Sequence, residues 1–223
     1  MRNIVVNTDL DKFLYKKEFL PFPSLDNLSI DQFYILNEKH YGIYDEILDV
    51  TKTEKDWRTR IEELVKIAGK HEISFDEYIE SAERIIKVTG ISRYLKSVLE
   101  ELYPIQMNVF TGSGSEAADV YISKIIQPQI PKTKIDVYGT TMEFSSEKII
   151  TGNVLNLWDS ESRARKAKEL TGNRKSVNIG NGPNDILMLR DGNLSFYLGK
   201  DHKIENNIIY TDLKNLPLYL KSL

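Results

Sequence analysis

The chain changes rhythm twice. Ile4 to Val6 is a short β-branched run that reads as a strand buried on both faces, and it leads through Asn7 and Thr8 into Asp9-Leu10-Asp11. From Glu18 to Leu102 apolar residues recur at helical spacing instead. Ile30, Phe33, Tyr34 and Ile35 fall in a first helix, with Ser29 or Asp31 as its cap. Trp57, Ile61, Leu64, Val65 and Ala68 share one face of a second, expected to stop at Gly69. Phe75, Tyr78, Ile79, Ala82, Ile85 and Ile86 share a face of a third, capped at Ser74 and stopped at Gly90, and Ser92 to Tyr103 forms a fourth before Pro104. On this pattern Trp57 and the tyrosines of the block belong to the core of a helical bundle.

Beyond Pro104 strands and helices alternate. Ile105–Phe110 reads as a strand, and Ser115–Ile126 as a helix ended by Pro128 and Pro131. Lys134–Tyr138 is a short strand, and residues 140–154 alternate around a turn near Ser145-Ser146-Glu147, which predicts a β-hairpin. A basic helix runs from a cap at Asp159 or Ser160 to Gly172. Strands follow at Ser176–Ile179, Leu194–Leu198 and Asn207–Tyr210, with helices at Asn184–Arg190 and Leu213–Leu220. This order predicts an α/β fold, a three-layer Rossmann-like parallel sheet with helices on both faces. The first strand belongs to that sheet, so residues 1–17 and 103–223 form the core domain. Residues 18–102 form an inserted helical cap domain, placed directly after the acid pair, where it can cover it.

Composition narrows the function. The chain has 223 residues, long for one simple domain and short for two, which suits a core with an insertion. It is 41% hydrophobic, and a net charge of −3 spread along the sequence gives no basic face for nucleic acid. Without cysteine there is no disulfide, thiolate metal site or cysteine nucleophile. The apolar start is too short for a signal peptide, and no stretch approaches the roughly 18 apolar residues of a membrane span. The sequence therefore reads as a soluble cytoplasmic protein. His40, His71 and His202 are isolated, without metal spacing, and no serine-hydrolase elbow occurs.

In such sheets ligands bind at the carboxyl ends of the strands, where three polar signatures stand. Alternation puts Asp9 and Asp11 on one side of the first strand. Two carboxylates that close share a proton or a cation, as phosphoryl transfer requires: one acid attacks, one carries the proton, and a divalent metal lies between acid and phosphate. The alternative for an isolated Asp-x-Asp is a strand end and a solvated turn. After the second strand, Thr111 and Ser113 alternate with glycines before a helix, so a hydroxyl and free amides can hold a phosphate oxygen. The same letters match a loose dinucleotide fingerprint, Gly112-x-Gly114-x-x-Ala117 with Asp136 downstream. Asn181, Asn184 and Asp185 gather oxygen ligands suited to a hard cation such as magnesium, although Asn184 or Asp185 also fits a helix cap.

Taken in order, "DLD", a helical insertion, "TGSG", a basic helix and "GNGPND" resemble the haloacid dehalogenase-like phosphohydrolases, in the branch that contains phosphoserine phosphatase. The resemblance covers nearly the whole chain, including the hairpin before the basic helix. It implies Asp9 as the phosphate-accepting nucleophile and Asp11 as general acid and base. It implies Thr111, followed by Gly112, as the phosphate-binding hydroxyl, and Asp185 as the last acid of the metal motif. Glu18 falls where that branch carries a cap glutamate that helps bind substrate. The lysine that screens the aspartyl-phosphate falls in the basic helix, on Arg163 or Lys166. Asp9, Asp11, Asn181 and Asp185 are then the magnesium ligands.

Three departures accompany the likeness. Asn181 replaces an acid, which removes one negative charge and lowers metal affinity, and Lys12 and Phe13 replace a small residue and a threonine. If the strand ends earlier, Asn7 takes the nucleophile's place and Asp9 the acid's. The expectation is a magnesium-dependent phosphomonoester hydrolase that acts on a small phosphorylated metabolite through an aspartyl-phosphate. The alternatives are a degenerate member that binds a phosphorylated ligand or a protein partner without turnover, and a dinucleotide-binding module.

Overall fold

The computed structural model describes residues 2–10, 13–14, 43–89, 93–198 and 207–221. The strands are β1 (Arg2–Asp9), β2 (Pro104–Gly114), β3 (Lys134–Phe144), β4 (Ile150–Asn156), β5 (Lys175–Gly180), β6 (Leu194–Tyr197) and β7 (Ile208–Tyr210). They form one sheet in the order β4-β3-β2-β1-β5-β6-β7, parallel except for the antiparallel β3–β4 hairpin. The chain is thus an α/β, Rossmann-like fold. β1 lies at its centre, hydrogen-bonded to β2 and β5, although a long helical block separates it from both in sequence.

Four helices of that block are described: α1 (Ile43–Thr53), α2 (Trp57–Lys70), α3 (Phe75–Thr89) and α4 (Arg93–Leu102). Asp56 caps α2 by accepting from the Thr59 amide at 2.8 Å. A capping box opens α3: the Ser74 amide donates to Glu77 Oε2 at 2.9 Å, and the Glu77 amide to Ser74 Oγ at 3.3 Å. The sequence expects α2 to stop at Gly69, but it continues to Lys70. Gly69 serves a close approach instead, because a β-carbon there would lie 2.5 Å from the Gly152 nitrogen of β4. The expected helix around Ile30–Ile35 lies outside the described residues, as do Gly90, His40 and His202.

The other helices are α5 (Ser115–Tyr121), α6 (Ser160–Thr171), α7 (Ile186–Arg190) and α8 (Leu216–Leu220). α5 widens over Ile122–Ile126 and tightens over Gln127–Gln129, where Pro128 ends it. β2 and β3 are longer than the sequence predicts. β2 runs on through Thr111–Gly114, and β3 continues into the hairpin, which turns at Ser145–Lys148. Among the described residues no helix is long and apolar enough to cross a membrane.

The two faces of the sheet differ. One buries Val6, Met107, Val109, Val177, Ile179 and Phe196 in a core continuous with the helical block. The other carries a smaller cluster, in which Phe110 meets Ala164 and Ala167 of α6 and Met188 of α7. Across its middle runs a polar row in register, Asp136–Asn108–Asn7–Asn178–Ser195. Asn108 Nδ2 donates to Asn7 Oδ1 at 2.7 Å, Asn7 Nδ2 to Asn178 Oδ1 at 2.9 Å, and Asn178 Nδ2 to the Met188 carbonyl at 2.6 Å. Gln106 extends the chain by donating to Asn108 Oδ1 at 2.8 Å. Buried amides are costly without partners, and these have them.

Candidate active site

Strand alternation sets Asp9 on the polar face, one step beyond Asn7 at the carboxyl end of β1. Asp9 is 7% exposed, and its two oxygens face two donors. Arg163 Nη1 lies 3.3 Å from Oδ1, and Asn181 Nδ2 lies 3.0 Å from Oδ2. Arg163 comes from the first turn of α6, where Asp159 caps the helix by accepting from the Ser162 amide at 2.9 Å. That bond, and a second from the Ser162 hydroxyl, hold the Asp159 carboxyl below the usual range.

Arg163 itself is 3% exposed and held from three sides. Its Nε donates to the Trp158 carbonyl at 2.9 Å, its Nη1 to Asp185 Oδ1 at 2.8 Å, and its guanidinium lies 5.9 Å from the Trp57 ring. A guanidinium this far from water requires such partners. Asp185 Oδ2 accepts the Asn181 and Gly182 amides, both at 3.0 Å, which fixes the turn after β5. One side chain thereby orients both Arg163 and Asn181.

The loop at the end of β2 lies beside this cluster. The Leu10 amide donates to the Phe110 carbonyl at 3.0 Å, so Thr111 follows at the neighbouring strand end. Thr111 is fully buried, and its Oγ1 accepts from the Ser113 amide at 2.9 Å. Gly112 and Gly114 are roofed from the helical block. A β-carbon on Gly112 would meet the Trp57 indole at 2.8 Å, and one on Gly114 would collide with the Tyr78 hydroxyl. Burial pushes the Tyr78 ionisation far up, so that hydroxyl stays neutral.

The cluster forms around Asp9 rather than Asn7, which is engaged in the amide row. Asp9, Arg163, Asn181 and Asp185 are brought together, with Thr111 and Gly112 at the adjoining strand end. Lys166 is not part of that cluster: its ammonium pairs with Glu169 at 2.6 Å, over the Tyr138 ring. Asn184 supplies its carbonyl to the Ser160 hydroxyl at 2.8 Å. Asp11, Lys12 and Glu18 lie outside the described residues. Phe13 is buried at 2% exposure. His71 bonds Glu46 at 3.0 Å, in keeping with a helix-end role. Asp136 of the dinucleotide fingerprint pairs with Lys134 at 2.8 Å.

Trp57 and Tyr78 belong to the core that contains the helical block, and both also reach the glycine loop of β2. Arg60, one turn after Trp57, was missed; its Nε is buried with no hydrogen-bond partner among the described residues. Helical periodicity marks a buried face without saying which domain it is buried against.

No cluster of three acidic or histidine side chains suited to a metal ion forms among the described residues. The described donors nevertheless fit a divalent cation at one place, between Asp9 Oδ2 and the Asn181 amide. Turning that amide would exchange its NH2 for its oxygen against Asp9. Asp185, with both oxygens engaged, acts on that place through Asn181.

No protein-family model matches the chain, and no curated protein does. Solved structures do. A substrate-bound phosphoserine phosphatase complex superposes with TM-score 0.62 at 16% identity, over 98% of this chain and 99% of that one. A phospho-aspartyl intermediate analogue of phosphoserine phosphatase gives 0.58 at 18%, over 98% and 99%. Phosphoserine phosphatase from T. onnurineus gives 0.58 at 14%, over 100% and 96%. At these identities the likeness is one of fold alone: the chain shares the fold of these phosphoserine phosphatase structures.

Proposed function

We propose that the chain is a phosphomonoester hydrolase that acts on a small phosphorylated metabolite through an aspartyl-phosphate on Asp9. The observation that carries this reading is the double clamp on Asp9, whose oxygens face Arg163 and Asn181 at 3.3 and 3.0 Å. A fixed carboxylate beside a buried cation is what an attack on phosphorus needs. Asp9 forms a bond to phosphorus while the bond to the ester oxygen breaks, and Asp11 protonates the leaving oxygen. Water, deprotonated by Asp11, then attacks the aspartyl-phosphate and releases inorganic phosphate. Arg163 and the Thr111 hydroxyl hold the phosphoryl oxygens as charge builds on them. Asp185 and Trp158 keep the guanidinium in place.

In this reading Asp9, Asn181 and Asp11 hold magnesium, which supplies positive charge to the transferring group when bound. Asn181 brings one charge fewer than a carboxylate, so the site would hold the ion weakly. Residues 18–102 act as a cap domain, with Trp57 over the glycine loop and Glu18 helping to bind the substrate. The second reading, a binder without turnover, draws on one contact: the Asn181 amide occupies the oxygen of Asp9 that a cation would take.

Hydrolysis of an aryl phosphate and a panel of small phosphate esters, with magnesium, separates the two. Turnover that disappears in Asp9→Asn supports the hydrolase. A silent wild type that gains turnover, and a magnesium-dependent rise in melting temperature, as Asn181→Asp supports the binder.

A further inference from the structure

The polar face opens to solvent at the end of the sheet opposite Asp9. There a cleft of about 300 Å³ lies between the last turn of α6, the loop into β5 and the turn after α7. Its floor includes Asn7 and Asn178, the centre of the amide row, at 1% and 2% exposure. One wall carries Lys168 of α6 and the other Asp191. Both are exposed, and no ion pair of either is found among the described residues. Arg174, at the rim, spends its guanidinium on the Leu170 and Thr171 carbonyls, where it closes the end of α6.

A polar cleft with cations from Lys168 and Arg174 and an anion from Asp191 matches a small molecule that carries both charges. A singly charged ion would leave one wall unanswered, and an apolar ligand would leave both charges unanswered. We propose that this cleft is a second ligand site, separate from the Asp9 cluster, and that it takes a small zwitterion of the α-amino acid class. Its carboxylate meets Lys168 and its ammonium meets Asp191. The Thr171 hydroxyl, which accepts from Asn7 Nδ2 at 3.0 Å, also lines the cleft and offers its own proton to the ligand. Occupancy therefore bears on Asn7, one alternation before Asp9 on β1, and on α6, whose first turn holds Arg163.

The test is thermal unfolding of the full chain with each of the twenty common α-amino acids. Acetate and ethanolamine serve as singly charged controls. A ligand present at ten times its Kd should raise Tm by about 3–5 °C in a chain of this length. At least one amino acid should do so while both controls fail. Lys168→Glu and Asp191→Lys should each abolish the shift, and the double exchange K168E/D191K should restore it with the ligand reversed. Asp9→Asn should keep it. The inference is overturned if no amino acid shifts Tm, if a control matches the best amino acid, or if the shift survives both single exchanges. It is also overturned if the shift is lost in Asp9→Asn, which would put the ligand in the other site.

Discussion

The two faces of this sheet are built from the same strands on different principles. On one face Val6, Met107, Val109, Val177, Ile179 and Phe196 are held by burial, which is non-directional and scales with area. On the other, Gln106, Asn108, Asn7 and Asn178 are held by a chain of specific donors and acceptors. Any of several apolar residues would serve on the first face. On the second, each amide meets specific partners at one register, so a slip of one residue would orphan them. The catalytic candidate Asp9 stands at the end of the specified face, where position has to be fixed to fractions of an ångström.

The strongest way to break this contrast is at Arg163. Arg163→Met leaves Asp9 and Asp185 buried without their shared cation, and should cost about 3–5 kcal/mol in chemical denaturation. A smaller loss would mean that the two carboxylates find water or each other's protons. Next come single changes within each face. Met107→Ala should cost about 2–5 kcal/mol through the cavity it leaves, and Asn7→Leu about 2–4 kcal/mol through the amides it strands.

Double mutants sharpen the difference. Asn7→Leu with Asn178→Leu should fall short of additivity by about 1 kcal/mol or more, because the second change removes a group the first had orphaned. Met107→Ala with Phe196→Ala, three strand spacings apart, should add to within about 0.5 kcal/mol. Equal coupling on both faces would erase the distinction.

A smaller effect concerns the entry to α6. Asp159→Ala should cost about 1 kcal/mol at pH 7. The Asp159 carboxyl is depressed in the folded state, so its contribution is present above its unfolded value. It is lost as pH falls through the folded one, and the gap between wild type and variant should close below about pH 4. Smallest of all, Lys166→Ala should change stability by about 0.5 kcal/mol or less, since its bond to Glu169 is a surface pair.

Much of this architecture is legible in the sequence because periodicity and punctuation agree. The capping residues Ser74 and Asp159, Gly172 after the basic helix and the hairpin turn all fall where local chemistry puts them. Arg163 is one of two positions, with Lys166, that the family resemblance implies in the basic helix, and it is the one that reaches Asp9. The reach of Trp57 and Tyr78 to the glycine loop is not legible, because a helical stripe names a buried face and omits its partner. The amide row was hidden for another reason. Each strand shows an asparagine beside apolar neighbours, which read singly is a blemish. Only the pairing of Asn7 with Asn108 and Asn178 turns three blemishes into one layer. An asparagine in each of three expected strands was the available signal.

The position of β1 also governs how the molecule assembles. Its Asn7 pairs with residues 101 and 171 positions away, so β1 is made long before the second of its two neighbours. Loop closure over such spans is slow: until β2 emerges both edges of β1 are open, and until β5 emerges one of them still is. A circular permutant in which residues 2–14 follow β7 would make that strand join a nearly finished sheet. Its refolding rate, set against that of the wild type, would show how much of the barrier is the wait for the centre.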